Sequence, residues 1–376
     1  MRPTKLLLLL AALISLPAAN LFAQAKGQAR RDALSRVHPG TLREAKHGAV
    51  VTEKLASTVL RDNRIGLDPN RTITVYLPPG YADSGKSYPV VYYFHNIFWS
   101  PEKMFADGNV VKLLERGFAN GLVQEFIFVA ADYSTPTTGS VYENSPVSGR
   151  WLDFTVQEVV PFVDRRFRTL RHRDSRALAG DFFGGRGALK LAMVHPDVFS
   201  VVYALHPVAT GIGYGPWARL PIDWKSVHQA TSYADLSHEG PTRLFVTISQ
   251  GFLPNLKRPP FYCDFFVEPH NGEPRLHPEN TRKTQAGFHL EETLDESAAN
   301  LRTMRGIAFD WGRFDPTPGH VYANQAFSRK LEDLGIEHEA EEYRGNPWDR
   351  TWTENGRFYA RVLPFFARHL VFEASR

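Results

Sequence analysis

The run Arg176-Ala-Leu-Ala-Gly180-Asp181-Phe182-Phe183-Gly184-Gly185-Arg186-Gly187-Ala188 constrains the fold of this chain more than any other segment. Its glycines match a strand that turns sharply into a helix, the G-x-S-x-G-G pattern of a nucleophile elbow. Gly180 and Gly184 allow the strained turn, and Gly185 lets the helix pack close to the sheet. The central position, where the attacking serine belongs, is Phe182. Phenylalanine has no heteroatom with which to form an acyl intermediate.

The flanking sequence supplies the rest of a layered α/β domain. Strand-like runs at Ala49 to Leu60 and Arg71 to Leu77, the second alternating and closed by Pro78-Pro79-Gly80, open a sheet with half-buried strands. The apolar run Tyr88 to Phe94 fits a central strand covered on both faces. Helix and strand then alternate: helix Pro101 to Gly121, strand Glu125 to Ala131, helix Trp151 to Phe167, strand Arg176 to Gly180, helix Gly184 to His195 and strand Val201 to Leu205. After an insertion at about 207–302, expected to carry one further strand at Arg243 to Ile248 and to cap the sheet, the rhythm returns. It continues as strand Gly306 to Trp311, helix Pro318 to Leu334, strand Ala340 to Tyr343 and helix Thr353 to Leu370. This order predicts a mostly parallel sheet with helices on both faces.

Met1 to Lys5, the apolar Leu6 to Leu16 and the A-x-A site Ala23-Gln24-Ala25 read as a secretory signal peptide over 1–25, so the product is expected to be exported, periplasmic or extracellular. Residues 26–47 read as a polar leader and 48–372 as the catalytic-type domain. No later apolar run approaches a membrane span, and no cysteine follows the signal to carry a lipid anchor. Cys263 is the only cysteine among 376 residues, so stability must come from burial, for which 43% hydrophobic content suffices. Loss of Arg2 and Lys5 with the signal lowers the formal charge from +4 to +2, too little to imply a nucleic acid partner.

Several segments resemble the secreted putative-esterase branch of the α/β-hydrolases, with its esterase D-like enzymes, feruloyl esterases and mycolyltransferases. They are Val75 to Tyr81, Tyr88 to His95, Gly139 to Gly149, Trp151 to Leu170, the elbow with Ala188 to Phe199, and Ile307 to Asp315. The resemblance implies an α/β-hydrolase fold and a serine, a carboxylate, a histidine and oxyanion-binding amides at one cleft. Carried over, the serine position is Phe182 and the carboxylate is Asp315. The histidine falls on Pro347, or on Asn346 with a one-residue slip. Where relatives have His-Gly and further glycine, this chain has His95-Asn96-Ile97-Phe98-Trp99, which would crowd a substrate carbonyl.

The departures from that pattern imply a pseudoenzyme with a binding or interaction role, and an active hydrolase or acyltransferase with a relocated nucleophile or base as the alternative. With no histidine for Asp315 to orient, Phe182→Ser alone is expected not to restore activity. Asp181 reads as an N-cap or turn residue and Ser249 as a structural serine at a strand end. His206 reads as a hydrogen-bonded structural histidine that could also line a pocket. No metal-ligand spacing appears, and neither a metal nor another cofactor is expected. Phe98, Trp99, Phe182, Phe183, Trp348 and Trp352 would either plug the cleft or form an aromatic platform for an apolar group or a sugar ring.

Overall fold

A computed structural model describes residues 47–211, 221–238, 241–347 and 351–373. The signal peptide, nearly all of the leader, Trp348 and Asp349 lie outside the described residues. Eight strands form the main sheet: β1 (Ala49–Ala56), β2 (Asn70–Leu77), β3 (Val90–Phe94), β4 (Ile127–Ala131), β5 (Arg176–Asp181), β6 (Val201–Leu205), β7 (Gly306–Gly312) and β8 (Glu339–Tyr343). Their order is β1-β2-β4-β3-β5-β6-β7-β8. The pairs β1/β2 and β2/β4 are antiparallel, and the other pairs are parallel.

Side-chain alternation along each central strand divides the core between the two faces. Val90, Tyr92 and Phe94 enter one apolar cluster while Val91 and Tyr93 enter the other, and Ile127, Val129, Phe128 and Ala130 divide in the same way. The expectation of a half-buried second strand is corrected: β2 is buried along its length except at Asn70, polar Arg71, Thr72 and Thr74 included. Ile73, Val75 and Leu77 enter one apolar cluster and Tyr76 the other, so both faces are covered.

The helices that matter here are α1 (Pro101–Phe105), α2 (Asn109–Ala119), α3 (Val160–Arg166), α4 (Phe183–Val194), α5 (Thr242–Phe252), α6 (Pro278–Phe288), α7 (Leu294–Leu301), α8 (Pro318–Asp333) and α9 (Leu363–His369). The helix expected over Pro101 to Gly121 is two helices, separated at Gly108, whose φ of 69° breaks the first. Wide π turns at Phe154–Val159 and Phe358–Val362 lead into α3 and α9. In each case a proline, Pro161 or Pro364, sits just inside the following α-helix, where it has no N–H for the regular ladder. The last helical segment begins at Phe358 and not at Thr353.

The strand expected at Arg243 to Ile248 is helix α5, and Ser249 lies buried within that helix instead of at a strand end. The β-branched and aromatic run suggested a strand. Thr242 and every residue from Phe245 to Gln250 are buried, so the helix is covered on nearly all sides, and an apolar run of that kind fits a buried helix as well as a buried strand. The insertion also contains a two-stranded ribbon, Val267–His270 with Glu273–Leu276, and α7, whose Asn300 Nδ2 donates to the Met193 carbonyl of α4 at 2.8 Å.

His289, at the end of α6, is buried near the same helix. Burial, reinforced by the positive charge of Arg186, pushes its imidazole down to about 4. The folded value lies below the ordinary one, so the unfolded chain takes up the proton first as pH falls. Its stabilising contribution is complete above about pH 6.5 and disappears towards pH 4. Stability measured by denaturant titration should fall across that window, and His289→Leu should remove up to about 3 kcal/mol of the fall. An unchanged pH slope in the variant would refute this assignment.

Candidate active site

The strand register brings the expected site to one edge of the sheet. Phe94 is level with Gly180, Gly180 with Ala204, and Asp181 with Leu205, which is level with Asp310. The loops after β3, β5, β6 and β7 thus leave the sheet side by side, at the carboxyl ends of its parallel strands.

The elbow keeps its backbone despite the side-chain change. Phe182 has φ 55° and ψ −113° between β5 and α4. A bulky residue in this region carries on the order of 1–3 kcal/mol of strain, which the surroundings hold in place. The Phe182 amide donates to the Leu205 carbonyl at 3.0 Å, and its carbonyl accepts from Arg186 N–H at 3.1 Å. The ring is 8% exposed. It meets the Phe183 and His320 rings edge-on at 5.4 and 5.5 Å between centroids and stacks on His206 at 6.4 Å.

Asp315 lies in the loop after β7 and is buried. Its Oδ2 accepts from His206 Nε2 at 2.6 Å and from His320 Nδ1 at 2.8 Å, while Oδ1 accepts from the Thr317 amide at 2.6 Å. Burial works to raise its carboxyl, but the hydrogen bonds from His206, His320 and Thr317 outweigh it. They hold the group well below the usual carboxylate range. The expectation that no histidine stands beside Asp315 is corrected: His206, after β6, and His320, in the first turn of α8, both hydrogen-bond to it.

His206 and His320 are not equivalent. The Gly312 N–H donates to His206 Nδ1 at 2.9 Å, so the proton of His206 sits on Nε2 and points at Asp315. Both of its nitrogens are therefore committed. His320 donates from Nδ1, which leaves its Nε2 lone pair without a hydrogen-bond partner among the described residues. Together, His206, Asp315 and His320 place possible ligand atoms within 4.8 Å of one another. The hydrogen-bond polarity does not suit a metal, because His206 Nε2 can offer a lone pair only if Nδ1 takes the proton and turns it against the Gly312 N–H.

The loop after β3 is closed by its own side chain. Asn96 Oδ1 accepts from the Phe98 amide at 2.9 Å, and Asn96 Nδ2 donates to Asp181 Oδ2 at 2.8 Å. Tyr93 donates to the other Asp181 oxygen at 2.8 Å. Asp181 is the last residue of β5, and the N-cap position of α4 is Phe182. The expected capping role is corrected, since this carboxylate is gripped by two side chains of the neighbouring strand and loop. Burial pushes the Asp181 carboxyl up despite those hydrogen bonds.

The aromatic residues do not act as one set. Phe183 is buried and tilted against Phe288 of the insertion at 5.9 Å, Ile97 is buried, and Phe98 and Trp99 are 58% and 39% exposed. Trp352 leaves the cleft altogether, packing into the core on Tyr93 and Phe358 at 5.1 and 4.5 Å. Beyond β8, Gly345 accepts from the Phe314 amide at 3.1 Å and Tyr343 donates to the Asn346 carbonyl at 3.2 Å, so the loop does reach the carboxylate segment. Pro347, buried beside it, contributes no base.

His320 is the residue that sequence reading missed. Its signal was a histidine five positions after Asp315, just inside a helix opened by Pro318.

The sheet order, the elbow between β5 and α4, and the carboxylate after β7 define an α/β-hydrolase fold. The family described as "Putative esterase" matches residues 66–260, just over half of the chain, and the chain belongs to that family. Esterase Rv1288 of Mycobacterium tuberculosis is 33% identical over 128 residues, covering 34% of this chain and 26% of that protein. An endo-1,4-beta-xylanase/feruloyl esterase of Xylanibacter ruminicola is 26% identical over 138 residues, covering 34% and 18%. The chain thus spans about a quarter or less of the length of these two relatives. Among solved structures, a ferulic acid esterase aligns with a TM-score of 0.58 at 21% identity, covering 86% of this chain and 98% of that one. An S-formylglutathione hydrolase from Agrobacterium tumefaciens aligns at 0.53 and 15%, covering 87% and 97%. At such identities the likeness establishes the fold.

Proposed function

We propose that this chain is an exported, non-hydrolytic member of the esterase family whose cleft binds an apolar or carbohydrate group. One observation carries the reading. The strained elbow that normally presents an attacking oxygen presents instead the Phe182 ring, packed against both histidines of the site. The Phe98 amide on the oxyanion loop is already satisfied by Asn96, which removes a donor from any developing oxyanion. Exposed Phe98 and Trp99 on that loop supply aromatic surface on which an apolar group or a sugar ring can stack. Export rests on the apolar segment Leu6 to Leu16 and the Ala23-Gln24-Ala25 site.

The experiment uses the exported protein, whose N terminus should begin near Lys26. Expected results are p-nitrophenyl ester turnover no higher than the uncatalysed rate and no covalent labelling by a fluorophosphonate probe. An intact N terminus on cell-associated protein would overturn the export reading. Turnover that disappears in Asp315→Ala, or a probe-modified hydroxyl located by peptide mapping, would overturn the non-hydrolytic one.

The pairing of Asp315 with His320 favours a second reading, an active hydrolase with a relocated base. Against it, no hydroxyl or thiol is hydrogen-bonded to His320 among the described residues. Mapping of the labelled peptide separates the two readings.

A further inference from the structure

We propose that His320, in the first turn of α8, stands ready to act as general base in place of a histidine in the loop after the last strand, and that an oxygen or sulfur atom at position 182 suffices to start acyl transfer. The proposal rests on the reading that Phe182 is the substituted nucleophile. It reverses the expectation that Phe182→Ser alone would fail, because that expectation assumed an absent histidine.

Three observations support it. Asp315 Oδ2 accepts from His320 Nδ1 at 2.8 Å, an arrangement that orients the imidazole. That hydrogen bond leaves Nε2 as the basic nitrogen, whereas His206 has both nitrogens engaged and serves to position Asp315. The His320 ring already contacts the Phe182 ring nearly perpendicularly, at 82° and 5.5 Å, so the imidazole stands beside the side chain that a nucleophile would replace. The elbow backbone, φ 55° and ψ −113°, needs no rearrangement.

The chemistry balances without a co-reactant other than water. In a Phe182→Ser variant the hydroxyl proton passes to His320 Nε2 as Oγ attacks the ester carbonyl carbon. The bond from that carbon to the alkoxy oxygen then breaks, and the departing alkoxide takes the proton from His320. Water next attacks the acyl group with His320 as base, releasing the acid and restoring the hydroxyl.

Two variants test the assignment, each compared with wild type by near-UV circular dichroism to establish folding. In Phe182→Ser, p-nitrophenyl acetate turnover should exceed that of wild type by at least about 100-fold. A complete machinery is worth about 10⁶, from which a lost oxyanion donor takes about 10²–10³. Fluorophosphonate should label the introduced serine, and adding His320→Gln should abolish both signals. Folded Phe182→Ser protein that neither turns over nor labels would overturn the proposal, as would labelling indifferent to His320→Gln.

Phe182→Cys provides a readout independent of the oxyanion loop. The native Cys263 is fully buried and contributes little background. Iodoacetamide should alkylate the new thiol at least about tenfold faster when His320 is present than in the double variant with His320→Gln, because a neighbouring imidazole raises the thiolate fraction. Equal rates would overturn the proposal. Fluorophosphonate labelling of wild type would instead refute the non-hydrolytic reading, so the two failures are distinguishable.

Discussion

Gly184→Ala should prevent this protein from accumulating in its folded state. A Cβ built on Gly184 would lie 1.9 Å from the Phe94 carbonyl oxygen, 2.5 Å from its carbon and 2.8 Å from the His95 carbonyl oxygen. Those atoms belong to the main chain at the end of β3 and the start of its loop, so no side-chain rotation relieves the overlap. The first turn of α4 must lift off the sheet, which would also separate Gly184 from Gly180, where a Cβ would come within 2.4 Å of the Gly184 carbonyl oxygen. The expected loss exceeds about 4 kcal/mol, comparable with the whole stability of many domains. Gly85→Ala is the matched control: nothing lies within 4 Å of its added Cβ, and its stability should stay within about 0.5 kcal/mol of wild type. Guanidinium unfolding and soluble yield measure both. A Gly184→Ala midpoint close to wild type would show that the elbow can open without cost.

Arg186→Leu should destabilise by about 3–5 kcal/mol, because it removes a buried cation and strands its partners. Arg186 is fully buried on α4, four residues after Phe182. Its Nε donates to the Phe288 carbonyl and Nη1 to the Val141 carbonyl, each at 2.9 Å. Nη2 donates to Glu143 Oε1 at 2.9 Å and to the Gly287 carbonyl at 3.2 Å. The guanidinium also faces the Phe252 and Phe288 rings at 5.5 and 5.4 Å. One side chain thus joins the elbow helix, the segment 141–143 and the end of α6 in the insertion. Arg186→Lys should recover only part of the loss, since a point ammonium cannot replace a planar fork. In the double variant with Glu143→Gln the loss should be smaller than the sum of the single effects, because Glu143 would otherwise keep only Lys190, at 3.7 Å, as a cationic partner. Additive effects in urea titrations would deny the coupling between Arg186 and Glu143.

The fold was largely legible in the sequence because its signals were local. Continuous apolar runs became β3 and β6, the helical period of α8 was visible from Pro318 onward, and the elbow glycines stand where a Cβ would strike backbone. Where local and tertiary signals diverged, the reading failed. The β-branched run at 243–248 belongs to a helix buried on nearly all sides, which a local apolar run does not distinguish from a buried strand, and alternating β2 sends apolar side chains into both clusters.

The candidate site divides along the same line. The loss of the attacking atom at Phe182 and the place of the carboxylate at Asp315 could be read residue by residue, since each lies a fixed distance from a strand end. Which histidine meets that carboxylate could not be read. The last-strand loop, where the chain has Asn346-Pro347, pointed to no base, whereas β6 and α8 deliver His206 and His320 to Asp315 from positions 109 residues before it and five after it.

The sequence by itself determined the alternation of strands and helices outside the insertion, the sharp turn at residue 182 and the absence of a nucleophilic atom there, because each follows from side-chain chemistry and backbone freedom at consecutive positions. Only the tertiary structure decided that an imidazole still faces that turn. Hydrogen bonding between Asp315 and two histidines depends on how three segments pack at one sheet edge, and nothing in their separate sequences specifies that distance.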